Sequence, residues 1–178
     1  MKSGALESTM SFMRTAVLIA LLGLTAASGW TEPLKVVLSA ERTKYAISDR
    51  LTIQVVLVNA SEEPISVYRI LQWGYAGGFV LHVYDEKGDE VHLRAYDDSI
   101  AIPSTLNKPD SYVTLDPDHL LGILRTDKLA DWELKPGSYT LQVEYRSPVP
   151  QSYRKDARFW SRDKGPLRSN SVPLQILP

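Results

Sequence analysis

Cysteine is absent from the chain. With it go disulfide bonds, thiolate metal sites and a cysteine nucleophile, and also the lipid-bearing cysteine by which bacterial lipoproteins are anchored. The patterns G-x-S-x-G and H-E-x-x-H are equally absent. The chain is therefore expected to be non-catalytic and to carry no cofactor. An excess of either charge is missing too, the formal net charge being −1. A general nucleic-acid binder carries a dominant basic patch, so that function class is set aside. The main apolar run, residues 16–24, falls short of the roughly 20 residues that a spanning helix needs.

That run follows Arg14 and relaxes into the small residues TAASG, the order of a secretory signal with its cleavage site. Residues 1–29 are expected to be removed between Ala27 and Trp30, with Met10 or Met13 a tidier start than Met1. Export to the periplasm or the extracellular space follows, with no membrane span in the mature form. Residues 30–178 leave about 150 positions, enough for one domain that buries roughly two-thirds of its unfolded surface without covalent staples.

Apolar residues recur with period two along this domain. Leu34, Val36 and Leu38 alternate with Lys35, Val37 and Ser39, and Leu51, Ile53, Val55 and Leu57 alternate with Thr52, Gln54, Val56 and Val58. Such alternation predicts half-buried strands. Others are predicted at 65–70, 79–85, 90–95, 112–115, 120–125, 139–146 and 172–177, punctuated by turn residues at short intervals. Pro136 and Gly137 predict a tight turn, after which Tyr139, Leu141, Val143 and Tyr145 face one way. A tyrosine just inside such a turn fits the tyrosine corner of Greek-key sandwiches, its hydroxyl bonded to upstream backbone. The predicted fold is all-β, an immunoglobulin-like Greek-key β-sandwich of about 7–9 antiparallel strands.

The stretches KYAISDRLTIQVVLVNASEEPISV and LKPGSYTLQVEY carry a resemblance. An aromatic, Tyr45, precedes a turn at Ser48 and Asp49, and the alternating strand that follows ends in Asn59. This pattern resembles the immunoglobulin-like domains of bacterial exported proteins and is similar to the macroglobulin-type and BsuPI-type proteinase-inhibitor domains. The resemblance implies the sandwich fold and, as one functional option, protease inhibition by an extended exposed loop.

Several places invite a chemical reading. Gly74 to Gly78, GYAGG, has the glycines of a phosphate loop, but a strand follows where a helix N-terminus is required. In VYDEKGDEV a three-residue loop with Gly88 in the left-handed position sets Asp85 opposite Asp89 and Val83 opposite Val91. The same register faces His82 with His92, a weak candidate pair for zinc or copper. Two imidazoles are fewer than the three protein ligands typical of catalytic zinc, so no metal is expected. His119 between Asp116, Asp118 and Leu120 reads as a turn rather than a calcium loop. Asn59-Ala60-Ser61 is a glycosylation sequon that matters only in a eukaryotic secretory route.

Charge is segregated. Between 85 and 118 nine acidic residues face three basic ones, and between 146 and 168 seven basic residues face two acidic ones. The basic segment lies in the long loop 147–171, where Tyr153, Phe159 and Trp160 are interleaved with Arg154, Arg158 and Arg162. Loops beyond about 12–15 residues are uncommon unless functional or disordered, and arginine with aromatics is the composition of binding hot spots. The loop is read either as a contact element or as a plug whose aromatics fold over the end of the sandwich. Pro173, which lacks an N–H, predicts that the last strand is an edge beside that loop. The leading expectation is a binding or structural module of the cell envelope that takes a protein or other anionic partner through this loop and edge. Proteinase inhibition is the second option. Carbohydrate binding through Trp73 and Tyr75 is the third.

Overall fold

The computed structural model describes residues 32–74, 78–93, 106, 108–150, 153 and 158–178, with Arg162 described by its backbone alone. The signal expected at residues 1–29 lies outside the described residues, as do Tyr75 and Arg154.

The described chain is all-β. Its eleven strands are β1 (Leu34–Ala40), β2 (Lys44–Ala46), β3 (Arg50–Asn59), β4 (Ile65–Tyr68), β5 (Gln72–Trp73), β6 (Gly78–Asp85), β7 (Tyr112–Leu115), β8 (Leu120–Lys128), β9 (Gly137–Tyr145), β10 (Leu167–Arg168) and β11 (Val172–Leu177). One sheet has the order β1-β3-β8. The other runs β2-β11-β9-β6-β5, with β10 on β9, and β4 pairs with β7 separately. The two sheets face each other over one core, giving an immunoglobulin-like sandwich in which β2 lies parallel to β11.

Period-two alternation accounts for the layers. Leu34, Val36 and Leu38 of β1, Leu51, Ile53, Val55 and Leu57 of β3, and Leu141, Val143 and Tyr145 of β9 are all buried in this core. Fully burying one such side chain contributes about 1.5–3 kcal/mol, so the alternation specifies register as well as stability. Two more strands are described than the upper expectation of nine. β2, β5 and β10 have only two or three residues each, too short to show a period. Of the strand predicted at 90–95, the described residues 90–93 contribute a single bridge, Tyr84 to Glu90, and 94–95 lie outside the described residues.

The turn before β9 forms as predicted. Tyr139 is half-buried and its hydroxyl donates to the Lys135 carbonyl at 2.9 Å. Asn59 is fully buried at the end of β3. Its Nδ2 donates to the carbonyls of Glu63 and Leu115 at 2.8 and 2.9 Å, and its Oδ1 accepts from the Ser61 N–H and hydroxyl. The nitrogen that a glycan would occupy is thus already committed inside the fold.

The edge predicted for the last strand is corrected. β11 lies between β9 and β2. Pro173 is tolerated because the Gln175 N–H points to β2, bonding Thr43 at 2.7 Å. Alternation turns the Pro173 nitrogen to the same side, two residues before the β2 pairing begins at Gln175.

Candidate functional site

Loop 147–171 closes onto the sandwich. β4 pairs with β7 on one side and meets Phe159 on the other, with Ser66 N–H to Arg158 carbonyl at 2.6 Å and Trp160 N–H to Ser66 carbonyl at 3.0 Å. This docking drives Trp160 into the core, where it is 2 % exposed. Ser147 Oγ donates to the Trp160 carbonyl, tying the two ends of the segment together. Phe159 and Tyr153 are half-buried in an aromatic cluster with Tyr112, at centroid distances of 4.9–5.1 Å. Burial pushes the Tyr112 hydroxyl up to about 12, helped by Tyr153 and Tyr68. Trp160 is therefore a plug, and the hot-spot role expected of it is corrected. Aromatic area buried against β4 is unavailable to a partner. Arg158, Lys164 and Arg168 stay exposed and leave this end basic.

The sugar-stacking platform also changes character. Trp73 is half-buried, tilted against Phe79 at 5.8 Å and with the Arg125 guanidinium 5.2 Å from its ring centre, so the protein's own groups already pack on the ring.

At the predicted hairpin Gly88 takes φ 86°, Asp85 N–H bonds to Asp89 and Val91 N–H to Val83, as the register requires. His82 Nδ1 lies 2.6 Å from Glu90 Oε1, whereas His92 is exposed beyond the last recorded pairing. His82 Nε2 is 3.9 Å from Glu144, a carboxylate only 3 % exposed that Arg146 and Arg168 also approach. Two guanidiniums around one buried carboxylate make a structural tie between β9 and the loop. Among the described residues no group of three or more His, Asp or Glu is placed to hold a metal ion. At His119 the chain turns, His119 N–H bonding to Asp116 with Asp118 at φ 62°. Gly74 and Gly78 take φ 96° and 104° in a turn that opens β6, with residues 75–77 between them outside the described set.

The surface that sequence reasoning missed is the β8 edge. β3 places its odd residues toward β8, since Asn59 N–H bonds to His119 and Leu129 N–H to Asp49, and its even residues toward β1, since Glu41 N–H bonds to Thr52. In the β3–β8 register Leu51 opposes Asp127 and Leu57 opposes Leu121. The backbone groups of Leu120, Gly122, Leu124, Thr126 and Lys128 therefore point outward, and no described strand pairs with them. The same five residues have exposed side chains, with Leu124 at 70 % and Leu120 at 58 %.

Other edges are managed. β5 and β2 are very short. β1 is closed at Leu38, whose N–H and carbonyl are both bonded by the Asn170 side-chain amide at 2.9 Å. Short or covered edges are how sheets avoid pairing with foreign strands. The nine-residue β8 follows neither rule. Its neighbours on the outer face are Val37, 40 % exposed, and half-buried Val56 and Val58. A Cβ on Gly122 would come within 2.5 Å of Val56, so glycine keeps the face low there. The only charges at outward positions of these three strands are Lys35, Arg50 and Lys128. A signal existed in the sequence: Leu120 and Leu124 are apolar on one parity of the strand, Leu121 and Ile123 on the other. One strand over one core buries only one parity.

No helix of the described residues is long and apolar enough to cross a membrane. A shallow cleft of ≈ 460 Å³ beside the 85–89 turn is lined by Tyr84, Asp85, Lys87, Ser138, Tyr139 and Thr140.

No protein-family model matches the chain, and no curated protein does. Solved structures similar to it include Spo0M, a sporulation control protein of Bacillus subtilis, at 10 % identity and TM-score 0.45, covering 83 % of this chain and 50 % of that one. The CARDB domain of the PF1109 protein from Pyrococcus furiosus, in complex with di-metal ions, is similar at 10 % identity and TM-score 0.38, covering 81 % and 87 %. The yjhA protein of Bacillus subtilis follows at 19 % identity and TM-score 0.29, covering 78 % and 87 %.

Proposed function

We propose that this protein is an exported, non-catalytic β-sandwich module of the cell envelope that binds a further polypeptide chain along the free edge of β8 and the adjoining apolar face of β1, β3 and β8. The observation that carries the reading is Leu124, 70 % exposed at the centre of five residues whose backbone groups face outward. An edge of this kind adds a strand by main-chain hydrogen bonds, with alternate side chains supplying selectivity. Exposed leucines beside valines make the patch worth covering. The basic end formed by Arg158, Lys164 and Arg168 steers an anionic partner by long-range attraction and weakens as salt shortens the Debye length.

A photo-crosslinking side chain at position 124, introduced into the full chain in its producing cell, tests this. Adducts to a polypeptide in the envelope fraction, lost when the probe moves to exposed Lys87 in the 85–89 turn of the other sheet, support the reading. Absence of any adduct at 124, or recovery of the chain in the cytoplasm with residues 1–29 retained, refutes it.

A further inference from the structure

We infer that the occupant of the β8 edge is a second copy of this chain, paired antiparallel to the first across a two-fold axis through Leu124. The inference rests on reading β8 as the contact edge and names what fills it. The five outward residues are 120, 122, 124, 126 and 128, so their midpoint is Leu124, which is also the most exposed large apolar residue described. Maximal overlap of two such strands has one register. It sets Leu120 against the partner strand's position 128, Gly122 against 126, and 124 against itself.

Each cross-strand pair in that register is compatible. Leu124 meets its own copy in an apolar contact on the axis. Lys128 lays its aliphatic stem along Leu120 and brings no cation directly opposite another. Thr126 faces the low surface left by Gly122, where Val56 already fills the space of a Cβ. On the half-buried side Arg125 opposes Ile123 and Asp127 opposes Leu121, leaving the Arg125–Asp127 ion pair at 2.7 Å intact within its own strand. Lys35 and Arg50, the remaining outward charges, lie on β1 and β3, two strands and one strand from β8 at the seam. The result is a continuous six-stranded sheet, β1-β3-β8-β8-β3-β1. Antiparallel self-pairing satisfies the outward N–H and C=O groups of all five residues on each strand. An isologous interface needs one self-complementary patch, which is what a strand with its apolar maximum at its midpoint supplies.

The cysteine-free chain makes the test direct. Hydrogen-bonded antiparallel partners lie about 5.5 Å apart at Cα, within reach of a disulfide. Leu124→Cys is expected to oxidise to a covalent dimer, whereas Leu120→Cys alone is expected not to, its symmetry mate lying roughly 27 Å away along the strand. Leu120→Cys combined with Lys128→Cys restores cross-linking. Sedimentation of the exported protein is expected to give twice the chain mass, and Leu124→Lys, at an exposed site that leaves the core untouched, is expected to return it to the monomer. A monomer at all concentrations without cross-linking at 124 overturns the second copy. If a different polypeptide is then captured at 124, the edge reading survives with another occupant; if none is, both fall. A dimer that persists in Leu124→Lys, or cross-links equally at 120 and 124, also overturns the proposed register.

Discussion

Asn59→Ala should destabilise the domain by about 1–4 kcal/mol. The side chain is fully buried and all of its amide capacity is used, holding the β3–β4 turn to the end of β7. Removing it takes one of two donors from the Leu115 carbonyl, which still pairs with Ile65 of β4, and this buried bond is a loss of about 1–3 kcal/mol. The Glu63 carbonyl sits at the surface, where water replaces the bond, and adds up to about 1 kcal/mol. Backbone bonds at the same residue, Asn59 N–H to His119 and Asp118 N–H to Asn59, survive the change, so the fold should persist. For a domain of about 150 residues the loss corresponds to a fall in Tm of about 2–15 °C. Urea unfolding followed by tryptophan fluorescence measures it, with an unchanged slope showing that the native state is intact. Asn59→Asp should cost more at neutral pH, because a carboxylate would face two carbonyl oxygens with nothing to donate. Burial beside those oxygens raises the introduced group's folded pKa, so the protonated form is favoured by folding. Stability of that variant should therefore recover as pH falls and decline as pH rises through the folded pKa. A cost below about 0.5 kcal/mol for Asn59→Ala, typical of a solvated surface site, would refute the picture of Asn59 as a buried hub.

Two further outcomes separate the plug from a contact element and test the aromatic cluster. Trp160→Ala should destabilise by about 3–5 kcal/mol, as for other buried tryptophans, in thermal or urea melts; a variant of wild-type stability would return Trp160 to the surface. In an alkaline titration at 295 nm, the component removed by Tyr112→Phe should ionise near pH 12 rather than 10, since burial, then Tyr153 and Tyr68, raise it to about 12. Because the unfolded tyrosine loses its proton first, stability is unaffected below about pH 10 and falls between 10 and 12; a Tyr112 midpoint near 10 would contradict the packing. Tyr145, fully buried, is pushed up further still and should titrate last.

The all-β class and most of the register were already legible in the alternation of apolar residues. Alternation over seven or more residues leaves one parity for the core, so Leu51 to Leu57 and Leu141 to Tyr145 could face only one way. The 85–89 hairpin and the Tyr139 corner were legible for the same reason: proline, glycine and tyrosine act on backbone within a few residues of themselves. What lay beyond reach depended on contacts far apart in the chain. Trp160 beside arginines has the composition of a hot spot, and only its pairing with Ser66, more than ninety positions earlier, turns it inward. Pro173 signalled a missing donor but not its direction, which the short parallel strand β2 decides. His82 lies 2.6 Å from Glu90, a contact that exists only once the hairpin has folded. The open edge of β8 was settled by tertiary structure alone: an edge is a property of neighbours, and no pattern within nine residues states which sides of a strand are already taken.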